Sequence, residues 1–265
     1  MTRRLVLGGV EHTVEPGETV LEALERQGHR IPVSCRAGRC HSCLLRALHG
    51  HPGEQAQRGL RDTMRAAGYF LACQCRPDGD LTVGYPGADV STSATISSIR
   101  WLSHRTLDVR LTPQGRFDYH PGQFVTLLRT DDLLARSYSL ASLPSDGELR
   151  LHVRHHPDGA MSGWLAEQAA PGERLTVRGP YGDCFYLPGS PEQPLLLVGT
   201  GTGLAPLYGI LRDALRHGHT GPIRLVHGAV DSRGLYLVDE LAALAAAAPN
   251  LDYRRCVLRA DRAEP

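Results

Sequence analysis

The chain has 265 residues, of which 42% are hydrophobic, and its formal net charge at pH 7 is +1. This length allows two or three domains, and the composition is ordinary for a globular protein. The near-neutral charge argues against nucleic-acid binding, and no apolar run approaches the ~18 residues that would span a membrane. The apolar stretch Leu5 to Val10 is shorter than the ~7–15-residue core of a secretory signal. We therefore expect a cytoplasmic protein with reduced thiols.

Residues 1–88 are predicted to form one small domain. Short strands are expected at Leu5–Leu7 and His12–Val14, followed by a helix near Thr19–Gln27 whose apolar side chains share one face. Alternating apolar residues predict a last strand over residues 81–85.

Four cysteines of this domain carry the most specific signal in the chain. Cys35, Cys40 and Cys43 have the spacing C-x4-C-x2-C, and Cys73 follows on a predicted strand. This is the plant-type pattern for a [2Fe–2S] cluster held by four thiolates, which moves one electron at a time. A zinc site of paired C-x2-C motifs fits less well, because only Cys40 and Cys43 have that spacing. Cys75 would share a strand face with Cys73, so spacing leaves it open as the fourth ligand.

Other residues around the motif have simpler interpretations. Gly38 suits a loop in which the backbone must approach the cluster closely. His41 could donate a hydrogen bond near the cluster, but a solvent-facing side chain is the expectation. Cys184 and Cys256 have no partner motif and are expected to be packing residues.

The middle of the chain is predicted to be all-β. Residues 88–98 have the composition of a linker and mark a domain boundary. Within residues 96–188, alternating runs at Leu107–Leu111, Phe124–Leu128 and Leu149–Val153 are separated by proline and glycine turns. This pattern favours a small antiparallel barrel.

Several short motifs of this segment suit a flavin. Arg136, Ser137, Tyr138 and Ser139 are consecutive, and the segment also holds His152-Val153-Arg154, Gly159-Ala160-Met161-Ser162 and Gly179-Pro180-Tyr181-Gly182. An arginine can pair with a pyrophosphate, an aromatic ring can stack on the isoalloxazine, and a serine hydroxyl can bond a ring nitrogen.

Residues 192–265 are predicted to alternate strands and helices. Leu195–Val198 is a continuous apolar run, as expected of a strand buried on both faces, and a helix begins near Leu204. A strand over Ile223–Val230, a helix over Asp239–Ala248 and a strand over Asp252–Leu258 complete half of a dinucleotide-binding fold. The turn Gly199-Thr200-Gly201-Thr202-Gly203 is suited to phosphate binding, although a purely structural glycine turn is the alternative.

The chain resembles the reductase components of bacterial aromatic-ring dioxygenases and related monooxygenases. The likeness rests on the cysteine quartet, the flavin motifs quoted above, Pro121-Gly122-Gln123-Phe124 and the glycine turn that continues to Pro206. It implies a multidomain α+β fold: a β-grasp ferredoxin domain (1–88), an antiparallel flavin-binding β-barrel (96–188) and a partial parallel α/β nucleotide-binding domain (192–265). It also implies a set of cofactor contacts. FAD would be bound by Arg136, Ser137, Tyr138, Ser139, His152, Val153, Arg154, Gly159, Ala160, Met161 and Ser162, and nicotinamide phosphates by Gly201, Thr202 and Gly203.

The family resemblance further implies a route for electrons. FAD takes a hydride from NADH or NADPH beside Tyr138 and Ser139, and single electrons pass to the cluster and on to an oxygenase component. Two alternatives stay open: a non-catalytic electron carrier, or a reductase whose acceptor is a ferredoxin or dehydratase component in nucleotide-sugar deoxygenation. Asp231 could bind ribose hydroxyls and Arg233 a 2′-phosphate, and we favour NADH.

The end of the chain departs from the family pattern. The Cys-Gly-Pro-Pro-type turn and the terminal aromatic residue of similar reductases do not occur, which implies truncation and weakened NAD(P)H oxidation. An exposed parallel-sheet edge near Asp252–Leu258 is then expected, and it would offer a surface for self-association.

Overall fold

The computed structural model describes residues 2–259. The chain divides into two compact units. The first runs to Thr92 and also takes Thr126–Ser137 and Thr176–Gly179, and the second takes Ser93–Val125, Tyr138–Leu175 and the chain from Pro180 onward. The six residues 260–265 at the end of the predicted nucleotide-binding domain lie outside the described residues.

A five-stranded mixed sheet with the order β2-β1-β5-β3-β4 organises the first unit. Its strands are β1 (Arg3–Leu7), β2 (Val10–Val14), β3 (Leu44–His49), β4 (Tyr69–Leu71) and β5 (Leu81–Gly84). Helices α1 (Val20–Arg26), α2 (Glu54–Gln57) and α3 (Asp62–Ala66) accompany it. Because β1 pairs in parallel with β5 and antiparallel with β2, the sheet has the mixed β-grasp arrangement that was expected.

Helix α1 shows how local sequence fixes this part of the fold. Thr19 accepts a hydrogen bond from the backbone N–H of Glu22, and the Glu22 carboxylate accepts one from the backbone N–H of Thr19. This capping box satisfies N–H groups that the first helical turn leaves without partners. The apolar face of α1, which includes Leu21 and Leu24, is fully buried. The predicted helix is confirmed.

The middle of the chain forms an open six-stranded sheet with the order β10-β7-β6-β11-β8-β9. Its strands are β6 (Ser91–Ser103), β7 (Thr106–Pro113), β8 (Phe124–Leu128), β9 (Ala135–Ser139), β10 (Leu149–Arg154) and β11 (Arg174–Tyr181). The sheet is antiparallel, as expected, but the barrel is not closed, because the two edges of the described sheet meet only through an isolated bridge between Leu140 and Leu151.

The stretch interpreted as a linker is mostly strand. Residues 88–98 enter β6, which is 13 residues long and pairs antiparallel with β7. Small hydroxyl residues suggested a flexible connection, but the strand places Ala94 and Ile96 in the core on alternate positions. Burial of this face overrides the weak strand propensity of the serines.

The last sheet is parallel, with the order β12-β13-β14. Strands β12 (Leu195–Thr200), β13 (Ile223–Ala229) and β14 (Leu251–Val257) alternate with helices α5 (Leu204–Arg216) and α6 (Val238–Ala247), whereas helix α4 (Ala160–Glu167) precedes β11. The predicted β-α-β-α-β order is confirmed.

Strand β12 is not buried on both faces, which corrects the sequence expectation. Leu197 is 8% exposed, but Leu196 and Val198 are 68% and 60% exposed. The continuous apolar run therefore covers one buried and one open face of the described sheet. Strand β14 forms the opposite edge, with Leu258 just beyond it exposed, so the predicted edge is present and self-association through it stays a prediction.

Among residues 2–259, the structure contains no helix that combines the length and the apolar character needed to cross a bilayer.

Candidate functional site

The four predicted ligand thiols lie in two contacting pairs. Cys35 contacts Cys40, and Cys43 contacts Cys73 through their side chains. Within the described residues, no three His, Cys, Asp or Glu side chains gather around one point as a single ion would require. Each iron of a two-iron cluster takes two of the four thiolates, so two pairs are the donor set that a [2Fe–2S] group needs. These residues fit the cluster.

Hydrogen-bond donors surround the sulfur atoms. The backbone N–H groups of Ala37 and Arg39 each donate to Cys35 Sγ at 3.4 Å, and the Cys35 N–H donates to Cys40 Sγ at 3.4 Å. Although burial raises the pKa of Cys35, hydrogen bonds from the Ala37 and Arg39 N–H groups and from the Cys40 side chain hold the pKa below its ordinary value. A bond from the Cys43 thiol lowers the pKa of Cys73 to about 6 and raises that of Cys43. The surroundings thus favour the thiolate, the form that binds metal, at Cys35 and Cys73.

The structure distinguishes Cys73 from Cys75, which spacing could not do. Cys73 lies in the turn after β4 rather than on a strand, so the two side chains do not share a strand face. The Cys75 thiol is fully buried and donates to the Pro52 carbonyl at 3.2 Å. Burial raises the pKa of Cys75 to about 12, which keeps it a thiol. The geometry therefore favours Cys73 over Cys75 as the predicted fourth ligand.

The cysteine loop adopts an unusual backbone conformation. Gly38 has φ +72°, and a Cβ there would lie 3.0 Å from Gln74 Cγ, so only glycine fits without displacement. Arg36 and His41 also have positive φ values, of 53° and 56°. The Arg36 guanidinium binds the Glu25 carboxylate of α1 at 2.6 and 2.8 Å, which anchors the loop to the helix.

Three sequence expectations about single residues near or beyond the loop are wrong. His41 is only 6% exposed, so its ring does not face solvent. Cys184 and Cys256 are exposed rather than packed in the core. Tertiary contacts, rather than neighbouring sequence, decide the burial of such isolated residues.

The predicted flavin residues lie on two strands and one helix start. Strand β9 carries Arg136–Ser139, all half-buried, and Arg136 Nη1 donates to the Ala135 carbonyl at 2.7 Å. Strand β10 carries His152, Val153 and Arg154, of which only Arg154 is exposed. Gly159 is the N-cap of α4, whose first residues are Ala160, Met161 and Ser162.

A side-chain hydrogen bond fixes the turn at the start of α4. The Ser162 hydroxyl accepts a hydrogen bond from the His156 backbone N–H at 3.1 Å. A Cβ at Gly159 would lie 2.4 Å from Ser162 Oγ, so the glycine allows the hydroxyl to sit inside the turn. Backbone N–H groups at such a helix start can bind a pyrophosphate, and this part of the chain fits FAD.

His152 is enclosed by protein rather than open to a ligand. Its Nδ1 atom lies 3.2 Å from the Tyr236 hydroxyl, which also lies 3.3 Å from the Gly201 carbonyl oxygen. Burial lowers the pKa of His152 to about 3, so the imidazole is neutral. The predicted contact of His152 with FAD stays a prediction. What the structure shows is a hydrogen-bonded chain from β10 to the glycine turn.

A cavity of about 650 Å³ opens at the carboxyl ends of β12, β13 and β14. Its lining includes Gly201 and Thr202 of the glycine turn, Arg154 and Arg105, and Asp231 just after β13. In open parallel sheets, nucleotides bind in the crevice outside the carboxyl ends of the strands. The structure therefore brings Arg154, predicted as a flavin residue, to the same cavity as the predicted nucleotide turn.

The glycines of the turn have different physical roles. A Cβ at Gly199 would lie 2.8 Å from Leu207 Cδ1 and 2.9 Å from the Gly203 carbonyl oxygen, so this glycine permits close packing of strand and helix. Gly201, with φ +52°, and Gly203 have nothing within 4 Å of a Cβ position. A phosphate can approach their backbone at the start of α5, and the turn fits a dinucleotide.

Comparison with known proteins agrees with this arrangement. Residues 6–78 match a 2Fe-2S iron-sulfur cluster binding domain, residues 93–186 an oxidoreductase FAD-binding domain, and residues 197–264 an oxidoreductase NAD-binding domain. The chain is 36% identical to the toluate 1,2-dioxygenase electron transfer component of Pseudomonas putida, over 94% of this chain and 77% of that protein. It is also 36% identical to the aromatic O-demethylase reductase subunit of an Amycolatopsis strain, over 96% and 80%. The chain belongs to the reductase components of bacterial aromatic oxygenase systems.

Solved structures support the same family. The Amycolatopsis cytochrome P450 reductase GcoB is 35% identical with a TM-score of 0.64, covering 97% of this reductase and 81% of that chain. The ferredoxin reductase in carbazole 1,9a-dioxygenase is 25% identical with a TM-score of 0.62, covering 99% and 81%. The reductase is thus an oxidoreductase that transfers electrons from NAD(P)H through FAD to a [2Fe–2S] cluster and on to an oxygenase component. Bound FAD converts the two electrons of a hydride into single-electron transfers.

Sequence reasoning missed several residues of the site. Tyr236 reaches the glycine turn, Arg105 lines the nucleotide cavity, and Thr126 and Arg178 contact the cysteine loop. None belongs to a motif with fixed spacing. Arg105 lies in a turn just before the predicted strand Leu107–Leu111, and all four are ordinary strand or loop residues in the sequence.

Proposed function

We propose that the three cofactors are divided among the predicted domains: the cluster in residues 1–88, FAD in residues 96–188 and the nicotinamide nucleotide in residues 192–265. The matches to the three domain families support this division. Cys35, Cys40, Cys43 and Cys73 would ligate the irons. Residues on β9, on β10 and at the start of α4 would hold FAD, and Gly201–Gly203 would hold the nucleotide pyrophosphate.

We propose that the electron acceptor is an oxygenase that acts on an aromatic compound. The observation that carries the proposal is that one chain contains a candidate site for each end of the electron route. These sites are the cavity at the ends of strands β12–β14 and the four thiols that lie in two contacting pairs. The relatives supply the kind of acceptor, since their names specify toluate dioxygenase and an aromatic O-demethylase.

The nucleotide cavity supports NADH as the hydride donor. Asp231 Oδ1 accepts a hydrogen bond from the Gly234 N–H at 3.1 Å, which fixes the carboxylate at the end of β13. A carboxylate in this position binds the ribose hydroxyls of NADH. Arg233 Nη2 lies 3.7 Å from Asp231 Oδ2, so its charge is already partly balanced and is less available for a 2′-phosphate. A higher kcat/KM with NADPH than with NADH would contradict this assignment.

On β9, we assign Tyr138 and Ser139 to the reacting part of the flavin. The Tyr138 ring would stack on the isoalloxazine, and the Ser139 hydroxyl would donate to a ring nitrogen. Both side chains are half-buried, which leaves part of each surface open to a ligand. Arg136 and Arg154 supply positive charge for phosphate groups.

The experiment that tests the function is an anaerobic absorbance titration of the purified protein. Flavin and cluster bands that bleach on addition of NADH are expected. Bands that bleach only with dithionite would refute NADH oxidation and leave an electron carrier, and the absence of visible bands after reconstitution with iron, sulfide and FAD would refute the cofactor assignments. Oxygen consumption with a purified aromatic oxygenase then tests the acceptor.

We place the protein in the cytoplasm. None of the seven cysteines forms a disulfide, and Cys184 and Cys256 are exposed, a state that a reducing compartment preserves.

A further inference from the structure

The cysteine loop accepts hydrogen bonds from three adjacent strands of the six-stranded sheet. Strands β11, β8 and β9 are neighbours in the sheet, and each provides one side-chain donor. Thr126 of β8 and Ser137 of β9 donate their hydroxyls to the Cys40 carbonyl oxygen at 2.9 and 2.8 Å. Arg178 of β11 donates from Nη1 to the Ser42 carbonyl oxygen at 3.4 Å. We call these three residues the loop dock.

The hydroxyl pair satisfies one carbonyl completely. A carbonyl oxygen has two lone pairs, and the Cys40 oxygen receives one hydrogen from each hydroxyl. Thr126 is fully buried, and its oxygen lies 3.0 Å from Ser137 Oγ, so the three polar atoms form a compact group. Leaving buried groups of this kind without partners is costly, and the loop therefore has one favoured position on these strands.

The dock joins the predicted cluster site to the predicted flavin strand. Cys40 is a cluster ligand in the proposed assignment, and Ser137 directly follows Arg136, a proposed FAD residue. Because side chains alternate along a strand, Ser137 points to the opposite face of β9 from Arg136. One residue of β9 thus faces the cysteine loop while its neighbour faces away from it.

We propose that the loop dock sets the position of the cluster for electron entry, with Thr126 and Ser137 as positioning residues. The step it serves is the passage of one electron from reduced FAD to the oxidised cluster, in which no bond forms or breaks. The rate of such a step falls steeply as the distance between the two centres grows. This inference rests on the cofactor placement proposed above, and the experiment below separates the two.

The test compares the Thr126→Val variant with wild type after reconstitution, because Thr126 is the hydroxyl of the dock that lies outside the predicted FAD residues. In anaerobic stopped flow, flavin bleaching by NADH is expected to be unchanged and the following cluster bleaching to slow about tenfold or more, as for a lost positioning contact. Amide exchange at His41 and Ser42 is expected to accelerate about tenfold, because local opening becomes easier. The amide exchange reports on the loop independently of turnover.

Two further variants keep the inference testable if Thr126→Val folds poorly. Thr126→Ser retains the hydroxyl and is expected to restore the wild-type cluster phase when compared with Thr126→Val. Ser142→Ala removes another fully buried hydroxyl, one that contacts Tyr119 and the Arg150 backbone, and is expected to leave both phases unchanged.

The outcomes are distinct. A wild-type cluster phase in Thr126→Val, with wild-type exchange at residues 41–42, would overturn the dock while leaving the proposed function intact. Slowing in Thr126→Ser as large as in Thr126→Val would overturn the role of the hydroxyl. Flavin that NADH fails to bleach in the wild-type protein would instead refute the proposed function.

Discussion

Replacing Tyr236 by phenylalanine tests whether the glycine turn is held in place from the flavin sheet. Tyr236 is 2% exposed, and its hydroxyl lies between His152 Nδ1 at 3.2 Å and the Gly201 carbonyl oxygen at 3.3 Å. Burial raises the pKa of Tyr236, so the hydroxyl keeps its hydrogen. Because that one hydrogen is donated to the Gly201 carbonyl, the contact with His152 requires the neutral ring to donate from Nδ1. Tyr236→Phe removes both bonds without opening a large cavity.

The size of the effect follows from the two groups left unpaired. A buried donor or acceptor without a partner costs about 1–3 kcal/mol, and we expect the free energy of unfolding to fall by about that amount. The Gly201 carbonyl belongs to the turn proposed to bind pyrophosphate. If about 1 kcal/mol of the loss falls on the bound conformation of this turn, the Kd for NADH rises about fivefold, since about 1.4 kcal/mol corresponds to tenfold.

The assay pairs chemical denaturation with fluorescence titration of NADH, and Tyr119→Phe is the matched control. Tyr119 is 8% exposed and donates to Ser142 Oγ at 2.7 Å, but it does not line the nucleotide cavity. Both variants are expected to lose stability, and only Tyr236→Phe to lose NADH affinity. An unchanged Kd in Tyr236→Phe, or an equal increase in both variants, would refute the reasoning.

Three other predictions follow from the same contacts. Cys73→Ser is expected to abolish the cluster absorbance while Cys75→Ser retains it, because only Cys73 pairs with another ligand thiol; retention in Cys73→Ser would contradict the assignment. Arg178→Gln is expected to lower the reduction potential of the cluster, measured by spectroelectrochemistry, because the added electron loses a nearby buried positive charge, whereas Arg178→Lys retains most of it. An unchanged or higher potential in Arg178→Gln would count against this. Burial lowers the pKa of His152 to about 3, whereas the imidazole has a pKa of about 6.5 in the unfolded chain. The stabilising contribution of the neutral ring is therefore complete above about pH 6.5. The free energy of unfolding declines as the pH falls from there towards 3, by up to about 1.4 kcal/mol per pH unit. Urea unfolding at pH 7 and pH 5 measures this, and equal stability at the two values would refute it.

Local patterns in the sequence are enough to predict most of the helices and strands. Helix α1 was predicted because Thr19, Glu22 and the apolar face lie within one short segment. Strands β12–β14 and helices α5 and α6 were predicted from periodicity, and the cysteine spacing indicated the cluster. Such signals are reliable because the interacting residues are close together in the chain or are fixed by the geometry of one ligand.

The expectations that the structure corrects concern which other segments pack against or pair with a given segment. The continuous apolar run predicts that Leu196 and Val198 are buried, but no element among residues 2–259 covers the face of β12 on which they lie. The serine-rich stretch 88–98 read as a linker, although pairing with β7 makes most of it strand. In both cases the sequence shows whether the segment is apolar or polar, but not which other segments it contacts in the fold.

The sequence by itself determined the four-cysteine motif, the order of strands and helices in the last segment, and the membership of a reductase family. Only the tertiary structure decided that Cys73 contacts Cys43 whereas the Cys75 thiol binds the Pro52 carbonyl, that His41 is buried, and that Thr126 and Ser137 donate to the Cys40 carbonyl. The physical reason is sequence separation. Cys40 and Ser137 are 97 positions apart, so their contact depends on how whole strands pair and pack, and no local spacing encodes it.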